Sequence, residues 1–445
     1  MARWPPELPG SPRFVLRSAS VPRCLLVAAP IDAGPGNELV RVDIVVDDGR
    51  VADLLPIGTA TAGETMPVVD LEEGQAWPCF VDLHTHLDKG HIWPRAPNRD
   101  NTFDGALAAT GADRGVRWSA EDVEARFDFA LRCAWAHGTA AIRTHLDSVA
   151  PQHRISWPVF DRLRARWRDR IALQAVTIVL IDFLEGSFGD ELADLVATHG
   201  GVLGAVIPAS AGGPDLDRRL DRIFTLARSR GLDLDFHADE NGDPRSTALR
   251  AIAEATLRND FAGRVVVGHC CSLAVQSDVD IERTLSAVAA ARIAVVTLPM
   301  CNLFLQDRRA GTTPRWRGVT LLHEMRARGI PVSIASDNCR DPFHGYGDLD
   351  MLEVFRESVR IAQLDCPIGD WPAAVTSTPA DVMRLPGNGR IVAGRPADLV
   401  LFSARSYSEL LSRPQSDRIV LRNGCAVDTT LPDYRELDHL MQQRT

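Results

Sequence analysis

Apolar, largely β-branched runs alternate with segments of helical period along the central part of the chain. The apolar runs predict eight strands, over residues 78–87, 139–147, 171–180, 202–210, 232–240, 264–271, 292–300 and 331–338. The segments between them predict amphipathic helices, among them residues 120–137, 216–231, 244–259 and 319–329. Strands that alternate with helices form a parallel sheet, and eight repeats are enough to close it. The pattern therefore predicts an α/β protein with a (β/α)8 TIM-like barrel over residues 78–385.

The two flanks of this region have a different pattern. Short alternating segments and Gly or Asn turns occur between residues 23 and 75, and again in GRIVAGRPADLVLF and RIVLRNGCAV between residues 387 and 427. Such segments predict antiparallel strands and hairpins. We expect residues 1–77 and 386–445 to pair into one small β-sandwich domain.

Composition and charge narrow the class of protein. The 445 residues are 45% apolar and 24% charged, as in an ordinary globular protein, and the formal net charge is −10. No Lys/Arg-rich tract suggests a phosphate-binding surface, so we expect no nucleic-acid partner. No apolar run reaches about 18 residues and no export signal is recognisable, so we expect no membrane partner. Nine scattered cysteines predict reduced thiols and a cytoplasmic location.

Side chains that can bind metals are concentrated where four of the predicted strands end. In chain order, these segments are His84-Thr85-His86, His237-Ala238-Asp239-Glu240, Gly268-His269-Cys270-Cys271 and Ser336-Asp337-Asn338. Alternate side chains of a strand share a face, so His84 and His86 can bind one cation together. The carboxyl ends of barrel strands carry the chemistry in this fold. The four segments therefore predict a metal-dependent hydrolase.

The wider motifs around these residues support a family resemblance. PCFVDLHTHLDKG, FHADEN, VVGHCCS and SIASDNCRDPF resemble the motifs of the amidohydrolase superfamily, and within it the chain is similar to cytosine deaminases and triazine-ring hydrolases. The resemblance covers nearly the whole chain, including the split β-domain.

The resemblance implies a role for each motif residue. It implies one divalent metal ion, Zn²⁺ or Fe²⁺, with four ligands: His84, His86, His237 and Asp337. Glu240 would be the proton shuttle, His269 would orient or polarise the attacking water, and Asp337 would also accept a hydrogen bond from that water. Some superfamily members bridge two metals through a lysine on strand 4, but residues 202–210 contain none, so a single metal is expected. Covalent catalysis by Cys270 or Cys271 stays an alternative.

Further residues near the carboxyl ends of the predicted strands, which form one rim of the barrel, are candidates for substrate binding. Lys89 is the only lysine in the sequence, and it either contacts a substrate carbonyl or anionic group or forms a salt bridge with Asp88. His145, at the end of the second predicted strand, is expected either to line the pocket or to support a metal ligand, rather than to be a ligand itself. Asp182 follows the third strand, where cytosine deaminases present a glutamine. Because Ile178-Val179-Leu180 stands in place of that glutamine stretch, cytosine itself is in doubt.

Two more substrate contacts are expected after the eighth strand. Asn338 lies next to Asp337, and Phe343 lies in a loop that can place an aromatic ring over a flat heterocycle. The alternative for this loop is ordinary packing.

The predicted activity is hydrolytic deamination of an amino-substituted nitrogen heterocycle that is cytosine-like, purine-like or triazine-like, with release of ammonia. The substrate is a small molecule, and we expect the chain to form a homo-oligomer. One alternative is hydrolysis of a cyclic amide or of an N-alkylamino substituent. A second alternative is a binding protein of the same fold that has lost turnover, although such a protein would not need Glu240.

Overall fold

The computed structural model describes residues 4–27, 37–59 and 66–442. The chain divides into two compact units. The first consists of Met1–Asp82, Cys133–Ala141 and Asp350–Leu431, and the second consists of Leu83–Arg132, Ile142–Leu349 and Pro432–Thr445. The boundaries expected from the sequence, at residues 77/78 and 385/386, stay a prediction. Among the described helices, none has the length and hydropathy needed to cross a membrane.

The strands and helices have the following bounds. The strands are β1 Arg13–Pro22, β2 Leu39–Asp47, β3 Arg50–Pro56, β4 Val68–Asp70, β5 Ala76–Pro78, β6 Phe80–Thr85, β7 Thr139–Asp147, β8 Ala172–Ile178, β9 Leu203–Val206, β10 Leu234–Ala238, β11 Val265–His269, β12 Ala294–Thr297, β13 Val332–Ile334, β14 Leu399–Leu401, β15 Ile419–Arg422 and β16 Cys425–Ala426. The α-helices are α1 Phe103–Arg117, α2 Ala120–Ala136, α3 His153–Trp167, α4 Ser187–His199, α5 Gly213–Arg230, α6 Ala248–Arg258, α7 Asp278–Ala290, α8 Pro299–Leu305, α9 Leu322–Ala327, α10 Met351–Ala362, α11 Ser377–Val382, α12 Tyr407–Ser412 and α13 Asp438–Met441.

The first unit contains two small sheets built from the chain's flanks. One has the strand order β3-β2-β1-β4 and the other the order β16-β15-β14-β5. A single buried apolar cluster includes Phe14, Val42 and Leu54 from the N-terminal flank and Leu399 and Leu421 from the C-terminal flank. The two flanks therefore share one core, as alternation in both segments suggested.

The predicted barrel strands follow each other in space in their chain order. Strands β9 to β13 form a parallel sheet, and β6, β7 and β8 form a second sheet in that order. Between the two sheets, pairing is reduced to isolated parallel bridges: Val176 with Val202, Leu180 with Val206, and Thr85 with Asp337. The described residues thus form no continuous ladder around the barrel. The order of the strands and the bridges at both junctions are nevertheless those of a (β/α)8 arrangement.

Each predicted strand contains an observed strand, but most observed strands are shorter at the carboxyl end. Strand β13 ends at Ile334, and β10 ends at Ala238. Strands β10, β11 and β12 are buried along their whole length, as expected for parallel strands covered on both faces. Side chains after these ends are therefore free to turn toward the rim, where the candidate chemistry lies.

The predicted end of the seventh strand needs correction. The last two residues of the predicted seventh strand lie in α8, because Pro299 occupies the first turn of a helix that starts two residues after β12 ends. Helix α1 was not among the helices named from the sequence, and it carries Arg114, which donates to Asp147. By contrast, α5 ends as predicted before Gly231, whose φ of 65° is the left-handed conformation that ends many helices.

Candidate metal centre and active site

Three imidazoles and one carboxylate converge at the carboxyl ends of the barrel strands. The Nε2 atom of His237 lies 3.0 Å from Nε2 of His84 and 3.4 Å from Nε2 of His86. The Oδ1 atom of Asp337 lies 3.2 Å from His86 Nε2 and 3.6 Å from His84 Nε2. All four side chains are buried. We call this group the ligand cluster.

The backbone after β13 brings Asp337 to the histidines. Its N–H donates to the carbonyl of His84 at 2.9 Å, and Thr85 pairs with Asp337 in a parallel bridge. The φ of Asp337 is 64°, in the left-handed region that non-glycine residues seldom adopt. Such conformations occur at functional sites, where the surrounding structure holds them in place.

A similar backbone feature fixes the segment between His237 and Glu240. Asp239 has a φ of 56°, and its carboxylate accepts hydrogen bonds from the N–H groups of Ala248 and Leu249 at 2.9 Å each. These two N–H groups open α6 and have no partner within the helix. Asp239 therefore ties the end of β10 to the start of α6 and positions the residues on either side of it.

The protonation of the ligand cluster suits a divalent cation. Burial, and after it the positive charge of neighbouring groups, lowers the pKa of His84, His86 and His237 well below the usual value. The three rings are therefore neutral, and each can present a nitrogen lone pair. Neutral imidazoles together with one carboxylate oxygen are a donor set that Zn²⁺ and Fe²⁺ bind. The residues present fit the metal that the resemblance implies.

A fourth imidazole, that of His145, stands against the ligand cluster. Its ring centroid lies 3.9 Å from that of His84, and a ring nitrogen lies within 4.8 Å of those of the three cluster histidines. On its other side, Nε2 of His145 lies 3.3 Å from Asp235, which is paired with Arg143 at 2.9 Å. The structure thus brings His145 into contact with the cluster.

Glu240 and His269 lie side by side next to the cluster. The Oε1 atom of Glu240 is 3.4 Å from Nδ1 of His269, and the Glu240 side chain keeps 14% exposure. Burial, followed by the charge of Asp337, raises the pKa of Glu240 well above its usual value. A carboxyl group whose pKa is raised holds a proton more readily than an exposed one, which suits it to carry a proton.

Asn302 is a site residue that the sequence did not indicate. It lies on α8, and its Nδ2 atom is 3.0 Å from Nδ1 of His269. The residue follows the seventh predicted strand, and nothing in Cys301-Asn302 points to an inward-facing helix. The proline at position 299 was the available signal, because proline favours the first turn of a helix.

Lys89 forms its ion pair with Asp147, and not with the neighbouring Asp88. The Lys89 ammonium lies 3.0 Å from Oδ1 of Asp147, while Arg114 contacts the other oxygen at 2.6 Å. Asp88 instead accepts hydrogen bonds from the N–H of Asp147 and from Ser156. Burial lowers the pKa of Lys89, but the carboxylates of Asp147 and Asp88 outweigh it and leave the pKa raised. Lys89 is therefore a charged donor in a buried place.

The loop after β13 places Phe343 beside Lys89. The Lys89 ammonium is 5.2 Å from the centroid of the Phe343 ring, within the range of a cation–π contact. Asn338 donates to Asp341 at 2.7 Å, and Asp341 accepts from the N–H of Phe343 at 2.8 Å. Asn338 thus holds the loop that presents Phe343, which adds a structural task to its predicted contact with substrate.

The structure does not bring Asp182 to the other predicted site residues. Asp182 lies in a 3-10 helix after β8, its side chain is half exposed, and it is ion-paired with Arg219 of α5. The carboxylate is occupied by a guanidinium on the outer helices. The expected contact between Asp182 and substrate is therefore corrected.

The two cysteines after β11 are poorly suited to covalent catalysis. Cys270 and Cys271 are fully buried, and burial raises the pKa of both thiols well above the usual value. Because the thiolate is the reactive form, neither side chain is an activated nucleophile.

The chain is similar to known proteins along most of its length. A family model described as "Amidohydrolase family" matches residues 193–430. The pterin deaminase of Rhizobium rhizogenes (strain K84) is 54% identical over 432 residues, which cover 97% of this chain and 97% of that protein. The N-isopropylammelide isopropyl amidohydrolase of Pseudomonas sp. (strain ADP) is 25% identical over 401 residues, 87% of this chain and 94% of that protein.

One solved structure shows the likeness of fold. A 5-methylcytosine deaminase from Klebsiella pneumoniae, liganded with 5-fluorocytosine, matches with a TM-score of 0.78 at 22% identity, covering 94% of this chain and 98% of that one. At this identity the likeness concerns the fold alone. It confirms the predicted α/β class with its TIM-like barrel.

Proposed function

Because the chain belongs to the amidohydrolase family, we propose that it is a hydrolytic deaminase whose substrate is a pterin, a 2-amino-4-oxopteridine. The similarity to a pterin deaminase along nearly the whole of both chains carries this proposal. In the reaction, water adds to the ring carbon that bears the amino group, the bond from that carbon to the amine breaks, and ammonia leaves. The product is the corresponding 2,4-dioxopteridine.

We propose that the ligand cluster holds one divalent metal ion, Zn²⁺ or Fe²⁺. Such an ion, when bound, supplies the Lewis acidity that lowers the pKa of water toward neutrality. Side chains of the protein carry out the proton transfers. Glu240 takes one proton from the attacking water and delivers it to the ring nitrogen, and it then carries the second proton, from the hydroxyl formed at the ring carbon, to the leaving amine. Its raised pKa favours holding the proton between these two transfers.

His269, Lys89 and Phe343 are proposed to act on the substrate directly. His269 donates a hydrogen bond to the oxygen that develops at the reacting carbon. The buried Lys89 ammonium is a strong donor for the ring carbonyl, because a charged hydrogen bond in a water-poor site is worth more than one in water. The Phe343 ring, next to that ammonium, offers a face to a flat pteridine.

A second candidate is the removal of an N-alkylamino substituent. The similarity to the N-isopropylammelide hydrolase favours it, because that protein matches 87% of this chain. The two reactions share the attack of water and differ in the leaving group. Ammonia identifies the first reaction, and an alkylamine identifies the second.

The test is to measure ammonia and alkylamine release from purified protein given pterin, cytosine, aminotriazines, an N-alkylaminotriazine and a cyclic amide. Stoichiometric ammonia from pterin supports the proposal, and an alkylamine with no ammonia from any ring would replace it by the second candidate. Glu240→Gln should lower kcat by about 10²- to 10⁴-fold, because it removes the proton carrier, while the metal content stays that of the wild type. Equal loss of metal and turnover would contradict the role of Glu240.

Two further expectations belong to the proposal. We propose a cytoplasmic location, which agrees with nine cysteines scattered through the sequence, since reduced thiols are typical of that compartment. We also propose a homo-oligomer, which size-exclusion chromatography with light scattering would test directly.

A further inference from the structure

We infer that Asn302 is a positioning residue that fixes the tautomer of His269, with the proton on Nε2, so that His269 donates a hydrogen bond in the reaction and does not take a proton. The tautomer follows from the contacts of His269 alone. Its consequence for catalysis rests on the proposed function.

The contact between the two side chains is short and fully enclosed. Asn302 Nδ2 lies 3.0 Å from His269 Nδ1, and both residues are buried. The backbone of Asn302 is held at both ends within α8, because its N–H donates to Leu298 at 2.9 Å and its carbonyl accepts from Gln306 at 2.8 Å. The amide therefore meets the imidazole from a fixed position.

The chemistry of the two groups decides which atom carries the proton. An amide nitrogen donates hydrogen bonds and does not accept them. Nδ1 of His269 must then be the acceptor, and the single proton of a neutral ring must be on Nε2. A ring nitrogen that accepts a hydrogen bond carries no proton, so the contact with the amide at 3.0 Å also excludes the doubly protonated ring.

The competing partner of Nδ1 is the weaker one. Glu240 Oε1 lies 3.4 Å from the same nitrogen, which is longer than an ordinary hydrogen bond between nitrogen and oxygen. The amide at 3.0 Å is within that range. The closer contact therefore sets the tautomer, and Glu240 keeps its proton-carrying role.

The other ring nitrogen is left for the reaction. Nε2 of His269 is buried and has no hydrogen-bond partner among the described residues. A buried donor without a partner is costly unless something else satisfies it. An oxygen that develops at the reacting carbon can do so, and its charge would strengthen the bond in the transition state. Asn302 thus keeps Nε2 of His269 as a hydrogen-bond donor, and Glu240 transfers the protons.

The first experiment observes the tautomer in the wild-type protein loaded with Zn²⁺. Solid-state NMR of protein labelled with ¹⁵N-histidine distinguishes protonated from unprotonated ring nitrogens, and His269→Gln identifies the signals of His269 by their loss. We expect an unprotonated Nδ1 and a protonated Nε2. A protonated Nδ1 would overturn the inference.

Two substitutions of similar size test the consequence. Asn302→Asp offers only acceptors when ionised, so we expect Nδ1 to become protonated and kcat to fall about 10³-fold with KM changed less than about threefold. Asn302→Leu removes the donor without imposing the other tautomer, so we expect a smaller loss of about 10-fold to 10²-fold. If Asn302 only filled space, the Leu variant would be at least as impaired as the Asp variant and the NMR signals of His269 would not change.

A control separates loss of stability from loss of tautomer. Leu285→Ala creates a cavity in the buried face of α7, a helix that carries none of the proposed site residues, and should lower the melting temperature while leaving kcat within about twofold. A comparable loss of kcat in Leu285→Ala would assign the effects at position 302 to destabilisation. If wild-type protein releases no ammonia from any ring, the proposed function fails, whereas the NMR measurement still decides the tautomer.

Discussion

Lys89 shows that a residue can stand out in the sequence while its ion-pair partner does not. Lys89 is the only lysine in the sequence, which left two roles open for it: a contact with substrate or a salt bridge with Asp88. The sequence offered Asp88 as its partner because the two are adjacent, whereas the structure pairs it with Asp147, which comes from β7. A pair between strands cannot be found from adjacency, since it depends on how the strands are arranged in space.

We predict that Lys89→Met raises KM for pterin by about 10- to 100-fold. The loss of a charge-assisted hydrogen bond costs about 1.5–3 kcal/mol, which corresponds to that range. Lys89→Arg should not restore KM, because a planar guanidinium does not replace a point charge in a packed site. Steady-state kinetics measures the effect. Arg168→Met, which removes a positive charge from an exposed side chain, should leave KM within about twofold.

An unchanged KM in Lys89→Met would contradict substrate binding by Lys89. The protein should still fold, because Asp147 keeps its contact with Arg114 at 2.6 Å after the substitution.

Among the elements, the strands were predictable and their ends were not. All eight barrel strands were expected from apolar runs, yet β13 ends at Ile334, before Asp337, and β12 is followed almost at once by α8. The pattern of apolar residues shows which positions are buried. Residues just after a strand can be buried as well, because they pack among the loops at the carboxyl ends of the strands, so the pattern does not show where the strand ends. The positions of His84, His86 and His237 could be predicted because they lie on or next to strands, but that of Asn302 could not, because it lies on the short helix.

Close packing between β11 and β6 gives a prediction about metal affinity. A Cβ atom added at Gly268 would lie 3.1 Å from Cε1 of His84, so the imidazole would have to move by a few tenths of an ångström. We predict that Gly268→Ala lowers metal affinity by about 10-fold, as changes next to metal ligands often do. Competition with a chelator measures the affinity.

The control for this prediction is the same substitution on a helix. A Cβ atom added at Gly111 of α1 would have a single neighbouring atom, 4.0 Å away, so Gly111→Ala should leave metal affinity unchanged and slightly stabilise the protein. If Gly268→Ala and Gly111→Ala bound the metal equally well, the position of the His84 ring would not determine metal affinity, and the prediction would be wrong.

At the scale of the whole molecule, the sequence suggested that the two flanks share a core. It did not suggest the network of ion pairs that joins helices within the second unit. The shared core of the two flanks follows from matching alternation in two distant segments. A network around Arg95 was not foreseen, because it joins α1, α2 and the carboxyl end of the chain through charged side chains. Arg95 contacts Asp113 at 2.8 Å and Asp122, and it also donates to the carbonyl of Leu440 at 3.1 Å. Such charges look like ordinary surface residues in a sequence.

We predict that Asp122→Asn lowers the free energy of unfolding by about 3 kcal/mol at pH 7, because it leaves two buried guanidinium groups with a lost partner. Burial raises the pKa of Asp122, but Arg126 and Arg95 outweigh it and hold the pKa below its usual value. A carboxylate with a depressed folded pKa stabilises the protein above its unfolded pKa of about 3.9, and this contribution is lost as the pH falls through the folded pKa.

Unfolding midpoints of the wild type and Asp122→Asn should therefore differ at pH 7 and converge as the pH falls from about 4 toward 2. Asp169→Asn, at an exposed position, should match the wild type throughout. A difference between wild type and Asp122→Asn that stays constant down to pH 2 would contradict the assignment to the ionised carboxylate.

Heterocycle deamination by this protein depends, in our proposal, on a metal ion held by four converging side chains. The measurement that decides this is ammonia release from pterin by chelator-treated protein as Zn²⁺ is added back in known equivalents. We predict no release without metal and a rise that ends at about one equivalent per chain, with no recovery in His86→Ala. Full ammonia release by protein that contains no metal would contradict the proposal.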